Sequence, residues 1–280
     1  WILETCRRRW VARKVKDVAG ISNCYSTEED WDLDSGDIQE YAYSKGWISR
    51  DVPFNFSKAY SAMSLKHRAA QPRYARLNKL LKAHQGQIDI HTIRSIQRDH
   101  FEGESHAPRW SPADGLQVSI CMHAMLDSAS KTAAASHVEL IPDGTSTWYH
   151  AFACPCVSVY APYTIENTLP QVLSNAGPTY SQESAWFERL QYAIEQDYPR
   201  YMAQWKPIAK ALEEKFTEEA ISCPPDDPTV RENTRELLAA VQKMYLQITA
   251  GSAASNQCQH LPMNRIAMER ANIQFETEAR

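Results

Sequence analysis

Three short runs with β-strand character open the chain, and they constrain its fold more than any other feature. They cover Trp1–Thr5, Arg9–Val15 and Val18–Asn23, so that all of them lie within the first 23 residues. Their side chains alternate in the manner of antiparallel strands, in which successive residues point to opposite faces of a sheet. We therefore predict that the chain begins with antiparallel β-structure.

The first strand-like run starts at Trp1, and no initiator Met precedes it. A native N-terminus rarely falls inside a hairpin, because the first strand would then be an edge with half of its pairing missing. We therefore expect the chain to be the C-terminal portion of a longer protein, truncated at its N-terminus. On its own, the 280-residue chain is expected to aggregate and to be inactive.

The order of the predicted elements indicates an α+β protein. Beyond Pro170 only helical patterns remain, which places a mixed domain at residues 1–182 and a helical C-terminal extension at residues 183–280. Pro199 and Pro207 are expected to break or kink the first part of that extension, Glu183–Ala220. Before Pro170, helices are predicted at Asp37–Lys45, from Pro72 onward and after an N-cap at Asp89, and strands at Gln117–His123, Thr132–Ile141 and Thr147–Ala153.

Composition excludes several classes of function. A formal net charge of −4 and a pI near 6.2 give no general attraction for nucleic acid. No run of about 18 apolar residues is present that would span a membrane. The seven cysteines are an odd, scattered set that suggests no disulfide framework, so a reducing, cytoplasmic location is predicted. No cofactor or metal site is predicted.

Two cysteine-containing motifs could carry chemistry. Cys154-Pro-Cys156 has one residue between its thiols, whereas zinc and redox motifs need two to four. Cys121 and His123 fall on the same face of a predicted strand, which would suit a nucleophile and its base. For both motifs the simpler interpretation, packing of small side chains near a strand end, is favoured. Composition and spacing alone therefore lead no further than an α+β protein.

An ordered set of motifs runs along roughly the first 190 residues. It comprises Trp1–Thr5, Val18–Asn23, Gln39–Trp47, Phe54–Ser61, Ile93–Gly103, Ile120–His123, Thr132–His137 and Ala153–Pro162. Together these motifs resemble the peptidase C69 family of dipeptidases and secernins, and bacterial secernin-like members most. That family belongs to the N-terminal nucleophile (Ntn) hydrolases. The resemblance therefore implies an αββα sandwich of stacked antiparallel sheets, of which this chain is the C-terminal portion.

The resemblance also implies a mechanism and two catalytic residues. The family nucleophile is a Cys at the mature N-terminus, which is not among these residues, and none of the seven cysteines is expected to replace it. By motif position, Asn23 is expected to donate an amide N–H to the oxyanion, and Arg73 to place a guanidinium beside the nucleophile, with Arg76 as the fallback. Family-typical positions without an assigned role are Arg98, Asp99 and His123.

The function that the resemblance implies is hydrolysis of dipeptides or small acyl-amides by the complete protein. Two alternatives stay open: a non-catalytic, secernin-like interaction protein, and acyl transfer to a nitrogen acceptor on the same scaffold. At the site itself, Asn23 could instead cap a turn and Arg73 could be an ordinary surface residue. The predicted partners are the small substrate and, in a homo-oligomer, further copies of the chain, with no nucleic acid and no membrane.

Overall fold

The computed structural model of the chain describes residues 1–61, 65–104, 119–123, 131–140, 146–163, 184–222 and 226–254. It is a mixed α+β protein, as predicted, with two small antiparallel sheets and several helices. The chain divides into two compact units. Unit 1 comprises the described residues up to Thr92 together with residues 119–120, and unit 2 comprises the other described residues from Ile93 onward.

Unit 1 contains a sheet in the order β1-β2-β3. The strands β1 (Ile2–Cys6) and β2 (Arg9–Arg13) form an antiparallel hairpin, which confirms the first two predicted strands, and β3 (Leu33–Asp34) pairs with β2. The prediction of a strand at Val18–Asn23 is wrong, since these residues form no ladder and Ser22 makes an isolated bridge to Cys24. The backbone there is instead held by a side chain from a helix, as described below.

Unit 1 also contains the helices α1 (Ile38–Ser44), α2 (Phe56–Tyr60) and α3 (Leu65–Ala83). The first of these confirms the helix predicted at Asp37–Lys45. The third begins earlier than predicted, so that Pro72 lies inside the helix rather than in its first turn. A proline removes only one intrahelical hydrogen bond, and the flanking turns continue the helix here. The core of unit 1 is formed by Val11, Ile38, Ala42, Phe54, Phe56, Ala59 and Tyr60.

Unit 2 contains the second sheet, with β4 (Ala134–Leu140), β5 (Ser146–Phe152) and β6 (Ala161–Tyr163) in that order. The first two confirm predicted strands. The strand predicted at Gln117–His123 is wrong over its described residues, 119–123, which have no strand structure. The N–H of Cys121 donates to the Asp99 carbonyl, and the N–H of Met122 donates to the Thr132 hydroxyl, instead of to a neighbouring strand. Residues 117–118 lie outside the described part of the chain.

The helix α4 (Ile90–Gln97) begins where predicted, because the Asp89 carboxylate accepts the N–H of Thr92 at 2.7 Å. The predicted helix over Glu183–Ala220 is two helices, α5 (Ser184–Glu195) and α6 (Tyr198–Ser222). Pro199 lies in the first turn of α6, where its missing N–H costs nothing, and Pro207 lies inside that helix.

The helix α7 (Asp227–Ala254) follows α6. The predicted domain boundary at residue 182 lies in the segment 164–183, which is outside the described residues, and it stays a prediction. Within the described ranges, no helix combines the length and the apolar character needed to cross a membrane. The core of unit 2 is formed by residues of the sheet, its loops and α5 to α7, among them Cys121, Val159, Leu190, Ile194, Trp205, Phe216, Leu237 and Met244.

Candidate functional site

Unit 1 brings the two predicted catalytic residues into contact. The guanidinium of Arg73, on α3, donates a hydrogen bond to Oδ1 of Asn23. Since a guanidinium can only donate, this contact fixes which end of the amide faces Arg73. The Nδ2 amide group of Asn23 then points away from Arg73 as a donor, and Asn23 is exposed. The fallback residue, Arg76, lies buried on the same helix.

A close approach of backbone and helix positions this pair. The N–H of Gly20 donates to Oδ1 of Asn78 at 2.9 Å, and the Asn78 amide donates to the Gly20 carbonyl at 3.3 Å. A Cβ on Gly20 would lie 2.5 Å from the side chain of Leu77, so only glycine lets α3 come this near. Arg73 lies about one turn before these residues on α3 and therefore reaches Asn23.

The cysteine beside this pair does not have the electrostatics of a nucleophile. Burial and the nearby Glu4 carboxylate raise the pKa of the Cys24 thiol, although the charge of Arg73 opposes them. Partial burial lowers the pKa of Arg73 itself. Glu4 is buried, and its carboxylate accepts the backbone N–H groups of Ser26 and Thr27 at 2.7 and 2.8 Å. A nucleophilic cysteine is activated by a lowered pKa, and the pKa of Cys24 is shifted the other way.

Unit 2 contains a second constellation, which we call the Cys-His cluster. It consists of His100, Cys121, His123 and Cys156, which each offer one ligand-type atom, and these atoms all lie within 4.8 Å of one another. His123 Nε2 lies 3.2 Å from Cys156 Sγ and 3.8 Å from Cys121 Sγ. A ring nitrogen of His100 also lies within 4.8 Å of Cys156 Sγ. His100, Cys121 and His123 are buried, and Cys156 is partly exposed.

Hydrogen bonds order the surroundings of the Cys-His cluster. His123 Nδ1 lies 2.6 Å from Oε1 of the buried Glu195, on α5, and this oxygen also accepts the amide of Gln191 at 2.8 Å. Gln191 in turn accepts the N–H of Cys154. His100 Nδ1 lies 3.1 Å from a carboxylate oxygen of Glu102. In each imidazole a carboxylate engages Nδ1, which leaves Nε2 for the interior of the cluster.

The cluster shifts the pKa values of its members in opposite directions. Burial by itself raises the pKa of Cys156, but hydrogen bonds from Cys121, His100 and His123 and the charge of His123 bring it well below the ordinary value. Burial lowers the pKa of His123, and the Cys156 and Glu195 anions more than reverse this effect. Burial raises the pKa of Cys121, as do hydrogen bonds to its neighbouring thiols. The pKa values of the two thiols, Cys121 and Cys156, are therefore shifted in opposite directions although both belong to the same cluster.

Arg98 and Asp99, to which the sequence assigned no role, hold the segments that carry the cluster. Arg98 donates to the carbonyl oxygens of Pro155 and Ser158 at 2.8 and 3.1 Å, and it forms a bidentate ion pair with Glu213. The Asp99 carbonyl accepts the N–H of Cys121 at 3.1 Å. Both residues thereby position cysteines of the cluster through the backbone.

Backbone strain borders the cluster on two sides. Among the described residues, non-glycine residues with positive φ include Phe101 at 67° and Ala153 at 61°, which follow His100 and precede Cys154. The left-handed conformation is costly for residues with a Cβ, and it persists only where surrounding contacts enforce it. Here Asp99 Oδ1 accepts the N–H of Phe101, and the Ala133 carbonyl accepts the N–H of Ala153.

The sequence interpretation recovered part of the Cys-His cluster. It paired Cys121 with His123 and favoured packing for both. Cys121 does lie in the hydrophobic core of unit 2, and His123 also contacts a cysteine 33 residues further along the chain. The spacing within Cys154-Pro-Cys156 excludes a metal site made by these two cysteines alone. It cannot show whether either cysteine meets ligands from elsewhere in the chain. Chemically, the arrangement offers either a thiolate with a histidine base and an orienting glutamate, or a set of metal ligands.

Comparison of the chain with protein-family models gives no match. The resemblance of its motifs to the C69 family therefore stays a prediction. The functional argument depends on the contacts of Asn23 and Arg73 in unit 1 and of the Cys-His cluster in unit 2.

Proposed function

We propose that the complete protein is a cysteine-dependent hydrolase of dipeptides or small acyl-amides, resembling the C69 peptidases. The observation that carries the proposal is the hydrogen bond between Arg73 and Asn23. These two residues were selected from separate motifs, 50 residues apart, as members of one active site, and they are in contact. A shared active site requires this contact, whereas a surface arginine and a turn-capping asparagine do not require it.

The chemistry requires an oxyanion donor. The nucleophile is the N-terminal Cys that the resemblance implies: its sulfur bonds to the amide carbon, and the carbonyl oxygen takes the negative charge. Asn23 Nδ2 donates to that oxygen, while Arg73 holds Oδ1 and keeps the amide in the donating orientation. The C–N bond then breaks as the amine takes a proton, and water cleaves the thioester to release the acid and regenerate the thiol.

Scaffold and location are part of the same proposal. Two antiparallel sheets with several helices are compatible with the C-terminal portion of an αββα sandwich of the Ntn-hydrolase type. A reducing, cytoplasmic environment is proposed because the described cysteines are free thiols, among them neighbouring ones in the Cys-His cluster. The same proposal allows the protein to form a homo-oligomer.

The test compares Asn23→Ala and Asn23→Asp in the complete protein, with kcat and KM measured on a panel of dipeptides. Asn23→Asp keeps a partner for Arg73 but removes the N–H donor, so the local structure should persist while turnover fails. Loss of one oxyanion donor typically lowers kcat by about 10²–10³-fold. KM should change little, because the bond strengthens mainly in the transition state.

A matched control is Asn55→Ala. Asn55 is the N-cap of α2, and its side chain accepts the N–H of Lys58 at 2.9 Å. Its replacement should lower stability by about 1 kcal/mol and leave kcat nearly intact. If Asn23→Ala behaves in the same way, Asn23 is a capping residue and the proposed site is wrong. Formation of an N-acyl product with an added amine, in place of free acid, would favour acyl transfer over hydrolysis.

A further inference from the structure

The four atoms of the Cys-His cluster converge from three separate segments of unit 2. His100 follows α4, Cys121 and His123 lie in the irregular segment 121–123, and Cys156 lies in the loop after β5. A thiol–imidazole pair for nucleophilic catalysis would need one cysteine and one histidine. The second cysteine and the second histidine, both buried, have no part in such a pair, yet they point to the same place.

The spacing of these atoms fits a tetrahedral metal ion. In zinc sites the metal lies about 2.3 Å from cysteine sulfur and about 2.0–2.1 Å from histidine nitrogen, so that sulfur and nitrogen ligands are about 3.6 Å apart. The two distances between His123 Nε2 and the sulfur atoms, 3.2 and 3.8 Å, lie on either side of this value. Two sulfur and two nitrogen ligands in this arrangement select zinc among the common divalent ions.

The outer contacts are those of metal-binding histidines. Ligating imidazoles almost always donate their other N–H to a carboxylate or carbonyl, which fixes the tautomer and orients the ring. His123 does so with Glu195, and His100 with Glu102. With two thiolates and two neutral imidazoles, a divalent ion makes the inner sphere electrically neutral, which suits a buried location.

Cys154 differs from the other cysteines near the cluster. Its thiol donates to the carbonyl oxygens of Met122 and Thr132, at 3.1 and 3.4 Å. It belongs to a second group of candidate ligand atoms with His123 and Glu195. In that group, however, Glu195 is already engaged by His123 and Gln191. Cys154 thus supplies a control inside the same core.

We propose that His100, Cys121, His123 and Cys156 bind one Zn²⁺ in a closed, four-coordinate structural site that fastens three irregular segments of unit 2 to one another. The strained residues Phe101 and Ala153 lie next to two of these segments, where a bound metal would hold the backbone in place. Its residues belong to unit 2, whereas those of the proposed amide-hydrolase site belong to unit 1.

The experiment measures metal content and needs no activity. The protein is purified without added metal and analysed by elemental mass spectrometry, then stripped with a chelator under reducing conditions and titrated with Zn²⁺ or Co²⁺. We expect one zinc ion per chain, a lower unfolding temperature for the stripped protein, and a Co²⁺ form with the intense visible absorption and thiolate charge-transfer bands of tetrahedral coordination.

Variants assign the ligands. Cys121→Ser and Cys156→Ser should lose the metal, whereas Cys154→Ser, in which the hydroxyl can donate to the same carbonyls, should retain it. Glu195→Gln keeps all four ligands and removes only the carboxylate beside His123. It should weaken zinc affinity by about 10–100-fold, a graded loss that misfolding would not produce. Cys6→Ser, in unit 1, is a second control that should bind normally.

Several results would overturn the proposal. A folded wild-type protein that binds neither Zn²⁺ nor Co²⁺ at micromolar concentration would do so. Loss of the metal in Cys154→Ser, with retention in Cys121→Ser, would show that the ligands are instead His123, Cys154 and Glu195. Alkylation of Cys156 by iodoacetamide at the same rapid rate with and without Zn²⁺ would identify a reactive thiol in place of a ligand.

Discussion

The guanidinium of Arg73 donates a hydrogen bond to the amide oxygen of Asn23, although 50 residues separate them in the chain. This contact gives Arg73 a concrete part in the proposed hydrolase: it holds the amide so that its N–H₂ group is left to donate. The pair exists because α3 packs directly against the backbone of Gly20, with Asn78 bridging the two. The function proposed for unit 1 therefore depends on one close approach between a helix and an irregular segment.

Replacing Arg73 tests its part in orienting Asn23. Arg73→Met removes the donor to Oδ1, so the amide can rotate, and kcat in the complete protein should fall by about 10-fold or more because the oxyanion donor is no longer preorganised. Arg73→Lys can still donate to Oδ1 and should recover part of this loss. Steady-state kinetics of both variants, with circular dichroism as a check of folding, provide the measurement. Equal kcat in wild type and Arg73→Met would exclude the orienting role.

Replacing Gly20 tests the close approach of α3. In Gly20→Ala the new Cβ would lie 2.5 Å from Leu77, so helix or segment must shift, and the free energy of unfolding should fall by about 1–3 kcal/mol. The matched control is Gly251→Ala, since Gly251 lies in α7 with no atom within 4 Å of an added Cβ. That change should stabilise the helix by about 0.5–1 kcal/mol. The measurement is the free energy of unfolding of both variants in urea. Equal values for Gly20→Ala and Gly251→Ala would contradict the close packing of α3 on Gly20.

Glu213 is expected to be a main electrostatic support of unit 2. It receives a bidentate ion pair from Arg98 and lies 3.6 Å from the buried Arg94. Glu213→Gln leaves both guanidinium groups without their counter-charge, which should cost about 3 kcal/mol of unfolding free energy. The control, Glu236→Gln, breaks the exposed pair with Lys215 and should cost at most about 1 kcal/mol. Similar losses in the two variants would show that the Glu213 network is solvent-screened.

His137 should make the protein sensitive to mild acid. Burial and the charges of Arg94 and Arg98 lower its pKa to about 4, despite Glu213, and its ring stacks on Tyr149. The folded state thus favours neutral His137, whereas in the unfolded chain it protonates near pH 6.5. Its contribution to stability is fully present above pH 6.5 and is lost as the pH falls toward 4, by about 1–2 kcal/mol after solvent screening.

The measurement is the free energy of unfolding in urea between pH 7.5 and pH 4, for wild type and His137→Gln. The variant cannot take up the proton in its unfolded state, so its stability should decline less steeply over this range. If the free energy of unfolding falls equally with pH in the two proteins, His137 has the same pKa in the folded and the unfolded state.

Local patterns in the sequence were enough to predict β1, β2, α1, α4, β4 and β5. Each depends on alternation, helical periodicity or a capping residue within about ten positions, and Asp89 is an example in which a cap seen in the sequence is the cap in the structure. Where prediction failed, a side chain or a backbone carbonyl from elsewhere took the place of a neighbouring strand. Asn78 binds the backbone of Gly20 in this way, and Asp99 and Thr132 bind that of residues 121–122.

The sequence by itself determined the α+β class and those elements that have a clear local pattern, because hydrophobic periodicity is a property of neighbouring residues. Tertiary structure alone decided that Arg73 meets Asn23, and that His100, Cys121, His123 and Cys156 converge beside Glu195. Such contacts depend on how the core packs, over separations of up to 72 residues. No spacing rule applied along the chain contains that information, since ligands that meet in space have no fixed interval in sequence.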